Sequence, residues 1–190
     1  MADPNQQAST VPLEDAKAGI ESLARRLALL HTSYAKAIIN ALGEKEGMPI
    51  ISSAIKDFGI KIGEKTKEEV ENAGLELNEY NFEKAPSYAL PRFGFYDKVE
   101  LMAVEGKPAV RITGCQLAKA WQEQGEEKIG RLYCYMDVAK YMAYNPDLKC
   151  IHLKAAMDGD GCCELTVKAT TEEERERFFS EKGDWFGLDK

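Results

Sequence analysis

Apolar residues along the first third of the chain recur at helical spacing. Ile20, Leu23, Leu27, Leu30, Tyr34, Ile38 and Ala41 follow one another at intervals of three and four, which predicts an amphipathic helix from Leu13 with one wide buried stripe, ending at Gly43. Pro49 suits the first turn of a second helix, and Ile51, Ile55, Phe58 and Ile62 carry its face to about 72–74. Gly59 and Gly63 interrupt that face one turn apart, and either close approach of another backbone or a bend would account for them. Residues 75–98 hold Pro86, Pro91, Gly94 and several aromatics without a period, and read as a long covering loop.

The period then changes from helical to alternating. Segments 99–104 and 109–113 read as a β-hairpin whose turn, 105–108, holds Gly106 and Pro108. Segments 115–124 and 126–144 read as helices parted at Gly125, and a second hairpin, 148–157 with 162–169, closes around Asp158-Gly159-Asp160-Gly161. The fold expected is α+β: an N-terminal helical hairpin packed on an antiparallel sheet of about four strands, made of two β-hairpins flanking a two-helix insert. This divides the chain into a disordered tail at 1–12, a single domain at 13–170 and a charged arm at 171–190. Within the domain, 13–74 is the helical half, 75–98 the loop, and 99–170 the hairpin-helices-hairpin unit. The aromatics of the arm, Trp185 and Phe186, would pack on the body or make a dimer contact, so a homodimer is compatible with the sequence.

Composition narrows the partners. A chain of 190 residues with 44% apolar content can bury a core of its own, and a net charge of −7 argues against a surface that tracks phosphates, so nucleic acid is not expected. No apolar run approaches the ~18 residues of a membrane span, and the first residues lack the basic-then-apolar layout of a secretory signal. The expectation is a cytoplasmic protein without a membrane partner. Five cysteines, an odd number, read as free thiols, and the adjacent pair Cys162 and Cys163 would strain if bridged.

The segment 126–144 concentrates the candidate chemistry. Ile129, Leu132, Met136, Ala139 and Ala143 share one helical face, and Cys134, Asp137 and Tyr141 lie along another flank. If both flanks are covered, Asp137 is buried and needs a partner or a raised pKa, as groups at working sites often do; the alternative is an aspartate bonded to nearby backbone beside a structural cysteine. Cys115 opens the preceding helix, where backbone N–H groups favour the thiolate, with inert burial as the alternative. In the second hairpin, alternation places Cys150, His152 and Lys154 on one face and Ile151, Leu153 and Ala155 on the other, with Cys163, Leu165 and Val167 on a buried side. His152 is the candidate for proton transfer or ligation, or else a surface histidine, while His31, between Leu30 and Tyr34, reads as structural.

Other chemistries find little support. A metal can be imagined from Cys115, Cys134, Cys163 and His152, but no C-x-x-C or H-x-x-x-H spacing is present, and no cofactor is expected. The Asp158–Gly161 turn is no calcium loop, because Cys162 and Cys163 stand where a further ligand and a glycine are required. A nucleophile elbow, a Walker loop and a dinucleotide fingerprint are absent.

The string Leu132-Tyr133-Cys134-Tyr135-Met136-Asp137, followed by Asn145-Pro146, His152 and Gly159-Asp160-Gly161-Cys162-Cys163-Glu164-Leu165, resembles the L-2-amino-thiazoline-4-carboxylic acid hydrolase family. Cys134 and Asp137 match its C-x-x-D helix, Gly159, Asp160 and Cys163 match its G-D-x-x-C hairpin, and Cys115 falls where the family opens the preceding helix with a cysteine. The sequence departs from that pattern at Leu165, where an aromatic is expected, and at Gln116, where a proline is frequent. The resemblance implies ring opening of a cyclic amidine to a carbamoyl-cysteine product. Cys134 or Cys115 would be the nucleophile, or Asp137 would activate water, and His152 would deliver a proton. Cys163, Asp160, Tyr141 and Arg111 would contact substrate, with Arg111 or Lys154 facing its carboxylate. The architecture is also similar to vinyl-reductase-type small-molecule-binding domains, so a non-catalytic small-molecule or metal sensor of the same fold is the competing expectation.

Overall fold

A glycine divides the first helical segment in two. The computed structural model describes residues 10–85, 92–180 and 185–189; most of the expected tail, and the part of the covering loop with Pro86 and Pro91, lie outside the described residues. Helix α1, Leu13–Asn72, leaves helical backbone at Gly43, whose φ of 78° and ψ of 164° suit a residue without a Cβ. A Cβ placed on Gly47 would come within 3.2 Å of the Ile39 Cα, so the two arms fold back on one another as a hairpin. The second arm resumes directly after Gly43, and Pro49 therefore lies inside it and not in its first turn, removing one N–H from the ladder.

The buried face of the first arm is not the leucine stripe. Ala24, Ala28, Thr32 and Ala35 are buried, whereas Leu23 is 67% and Tyr34 66% exposed, and Leu27 and Leu30 also face solvent. The helical period holds but its phase differs by about one residue. The cause is Trp121, whose indole N–H donates to the Ala28 carbonyl at 3.2 Å, because only small side chains fit beneath a ring held that close.

Two short turns, α2 (Glu79–Phe82) and α3 (Arg92–Phe95), precede the sheet, and α2 is capped by the Asn78 side chain, which accepts from the Tyr80 and Asn81 N–H groups. The remaining helices are α4 (Gln116–Gln124), α5 (Glu127–Cys134) and α6 (Met136–Tyr144). The single helix expected over 126–144 is thus broken at Tyr135, whose carbonyl accepts from the Val138 N–H three residues on. Gly59 and Gly63 serve close approach: a Cβ would sit 2.6 Å from the Ala139 Cβ at the first and 2.1 Å from the Lys140 carbonyl oxygen at the second. Helix α6 is locked into α1 at these two points.

Strands β1 (Lys98–Val104), β2 (Lys107–Thr113), β3 (Leu148–Lys154) and β4 (Cys163–Ala169) form one antiparallel sheet in the order β1-β2-β4-β3. The first turn is the pair Glu105-Gly106, with φ of 52° and 76°, and Pro108, expected in the turn, pairs with Ala103 inside β2. The strand expected to 157 stops at Lys154, and Ala156–Asp158 is a 3₁₀ turn. Register places Cys150, His152, Cys163, Leu165 and Val167 on one face, against which α6 packs through β3. A bulge between His152 and Lys154 pairs Lys154 with Glu164, so Lys154 and Arg111 both lie with Glu164 on the opposite face, not beside His152.

Helix α7, Glu172–Phe179, starts with a Thr171–Glu174 capping box, and a 3₁₀ turn follows at Trp185–Leu188. Phe178, Trp185 and Leu188 enter the core with Ala35, Ile51, Ile55, Ile129, Leu132 and Met136, and the Trp185 indole donates to the Ser52 hydroxyl at 2.9 Å. Its neighbour Asp189 then runs beside β3, an edge strand.

Candidate functional site

Three thiols, two carboxylates and an imidazole gather where the α5–α6 bend meets β3 and β4. Cys134 ends α5 and Asp137 lies in the first turn of α6, and the tightened turn at Tyr135 keeps them on one side. Asp137 Oδ1 pairs with Lys140 Nζ at 2.5 Å, and its Oδ2 faces His152 Nε2 at 3.6 Å, too long for a hydrogen bond but within ion-pair range. The His152 side chain is only 3% exposed. On its other side, Nδ1 lies 3.2 Å from both carboxylate oxygens of Asp189, and the His152 backbone N–H donates to Asp189 Oδ1 at 2.6 Å. Asp189 also accepts from Arg131 Nη2 at 2.6 Å, and Arg131 Nε donates to Asp158 at 2.8 Å.

Arg131, Asp189, His152, Asp137 and Lys140 therefore form a line in which each carboxylate touches the imidazole and owns a cation. Burial works to raise the Asp189 pKa, but the bonds from His152 and Arg131 outweigh it and hold the carboxyl below its ordinary value. For Lys140, burial works to lower the ammonium, and the charge of Asp137 more than compensates.

The thiols respond differently. Burial pushes Cys134 well above its ordinary value, and the charges of Asp137, Cys115 and Cys163 add to this while Arg131 opposes it. Cys115, at the N-cap of α4, is pushed by burial up to about 11, although the N–H groups of Leu117 and Ala118 draw it down. The helix N-terminus thus acts on Cys115 as expected from sequence, but desolvation is larger. Cys163 is raised by burial as well, against the Ala156 N–H, which donates to its sulfur at 3.4 Å. Cys134 feels Cys115 and Cys163, Cys115 feels Cys163, and all three feel Asp137, which groups them in one locality. Two tyrosines close it: burial and nearby acidic groups raise both Tyr133 and Tyr96. Tyr96 also lines a surface hollow of about 310 Å³ with Lys17, Arg92 and Lys98.

Of the residues singled out from sequence, Cys134, Asp137, His152, Cys115 and Cys163 are brought together. Tyr141 leaves the group and stacks on Phe82, centroids 4.1 Å apart. Asp160 shapes the hairpin turn by accepting from the Ala155 N–H at 2.9 Å. Arg111 is bonded to Glu164 at 2.8 Å on the far face of the sheet, away from His152 and Cys163. His31 sits edge-on to Trp121 and Tyr133 with Nε2 3.0 Å from the Ile129 carbonyl, and burial lowers its pKa, the behaviour of a structural histidine. Sequence reading missed Arg131, Lys140 and Asp189. The first two were legible in principle, one helical turn from Cys134 and Asp137, but nothing in the sequence marks Asp189. Among the described residues no three His, Cys, Asp or Glu side chains converge as a metal site, and no helix is long and apolar enough to cross a membrane.

A helical hairpin locked by glycines onto a bent helix, with an open antiparallel sheet carrying an imidazole and a thiol to that bend, defines a class of α+β domain whose reactive groups are clustered between helix and sheet. The chain belongs to the L-2-amino-thiazoline-4-carboxylic acid hydrolase family, whose model matches residues 23–167. The matched stretch contains every residue of the cluster except Asp189. No curated protein and no solved structure matches the chain.

Proposed function

We propose that this chain hydrolyses a small cyclic amidine of the 2-amino-thiazoline-4-carboxylate type, with Cys134 as nucleophile. The observation that carries the reading is a buried histidine held between two carboxylates in the same locality as three thiols. Burial keeps Cys134 protonated at rest, so attack requires a base, and the Asp137–His152 pair supplies one. As the Cys134 proton passes to that pair, sulfur bonds to the ring carbon between nitrogen and sulfur. The ring C–S bond then breaks, and the departing sulfur takes its proton from His152. Water next attacks the same carbon and displaces the Cys134 sulfur, which regains a proton, leaving a carbamoyl-cysteine product. Arg131 is the best-placed cation for the substrate carboxylate: its Nη1 is buried without a partner among the described residues, and its charge acts on both Cys134 and Cys163.

A second reading has Asp137 and His152 activate water directly while the thiols only wall the site, and the raised pKa of all three thiols favours it. Release of free thiol from 2-amino-thiazoline-4-carboxylate follows ring opening in either reading, and a variant separates the two. Cys134→Ser lowers turnover by at least about 100-fold in the first reading and leaves it nearly intact in the second. Asp137→Asn abolishes turnover in both. A wild-type protein that binds the compound without opening it points to a small-molecule sensor of the same fold.

A further inference from the structure

The geometry points to Asp189 as a positioning residue that fixes the proton of His152 on Nδ1 and turns Nε2 toward Asp137. This deepens the hydrolase reading and rests on it for its catalytic meaning, but the placement stands on distances alone. The Asp189 side chain is fully buried and makes contacts with His152 at three points, the backbone N–H at 2.6 Å and Nδ1 at 3.2 Å from each oxygen. An ionised carboxylate only accepts hydrogen bonds, so the imidazole nitrogen within hydrogen-bond reach of one, Nδ1 at Asp189, must be the donor. In the neutral ring Nε2 then carries the lone pair, and it faces Asp137 from 3.6 Å.

The remaining charges around the ring agree with this assignment. Arg131 from α5 and Lys140 from α6 each pair with one carboxylate, so Asp189 and Asp137 each have a cation besides the imidazole. Asp158, from the 3₁₀ turn, holds the far side of Arg131, and Cys150, the next residue on the same strand face, is a thiol kept neutral by burial. A ring held in this way can take a proton at Nε2 and return it along the same direction, which a freely turning imidazole cannot do. Asp189 lies beyond the family-matched stretch of 23–167, so the match itself does not mark this support.

The test is nitrogen-15 NMR of the two histidine rings at a pH where both are neutral, with His31 as internal reference. The expected result is His152 protonated on Nδ1 in the wild type. In Asp189→Asn one bond of the trio must oppose a donor to a donor, and that proton preference is lost or reversed while the His31 signals stay in place. Turnover of the thiazoline by this variant falls by about 100-fold, mostly in kcat. A wild-type ring protonated on Nε2 overturns the proposal without any variant, and so does an Asp189→Asn protein that keeps both its ring signals and its kcat. If the wild type shows the Nδ1 proton but no ring opening, the placement of His152 stands and the hydrolase reading fails.

Discussion

Replacing Gly63 by alanine should destabilise this protein even though alanine is the better helix former. The added methyl would lie 2.8 Å from the Ala143 Cβ and 2.1 Å from the Lys140 backbone oxygen, the latter well over 1 Å inside the distance at which such atoms pack. A helix backbone cannot swing aside as a side chain does, so α6 would have to move off α1. Overpacking of this kind costs about 1–3 kcal/mol, and relief of glycine's helix penalty returns about 1 kcal/mol at most. Because the contact here is to backbone, the upper part of that range applies, and the net loss is roughly 2 kcal/mol. For a domain of this size that lowers Tm by about 4–8 °C. Gly19→Ala is the matched control: it lies in the same helix with nothing within 4 Å of its would-be Cβ, and it should raise Tm by about 2–4 °C. Thermal unfolding of both variants by circular dichroism decides the matter. A Gly63→Ala protein melting at or above the wild type would refute the account of how α6 is seated.

The buried thiols bring a dependence on alkaline pH. Cys115 is raised in the folded protein from an ordinary 9.0 to about 11, so its contribution is complete below about 9 and is lost as pH climbs toward 11. Over that window the loss approaches about 3 kcal/mol, and denaturant unfolding of the wild type should weaken with pH more steeply than that of Cys115→Ser; equal slopes would sink the argument. At the tip of the first hairpin Glu105 adopts a φ of 52°, and Glu105→Asn should stabilise by roughly 0.5–1 kcal/mol in the same unfolding assay.

Element types were legible because period and turn chemistry are local. The change from helical to alternating spacing near residue 98 and the glycine turns of both hairpins lie in contiguous residues, and so does the pairing of Cys134 with Asp137. What escaped depends on partners distant in sequence. The leucine stripe of α1 looked like the core because large apolar residues usually are, but the closeness of Trp121, 93 residues away, selects the alanine face instead. Alternation placed Lys154 beside His152, and a bulge, invisible in composition, turned it to the other face. The candidate site was legible as far as its cysteines and its central aspartate and histidine. The cations could have been found by stepping one turn along the helix, whereas Asp189 reaches His152 across 37 residues with no periodic signal.

The clasp between Trp185 and Ser52 joins residues 133 apart in sequence. During synthesis the hydrophobic surface formed by Ile51, Ile55, Ile129, Leu132 and Met136 is therefore complete before Trp185 and Leu188, which cover part of it, have been made. At about 5–20 residues per second, Ser52 waits on the order of ten seconds for its partner. A nascent chain in that interval carries a bare greasy flank, so holding chaperones should raise the yield of soluble protein more than any change to the exposed surface of the finished molecule.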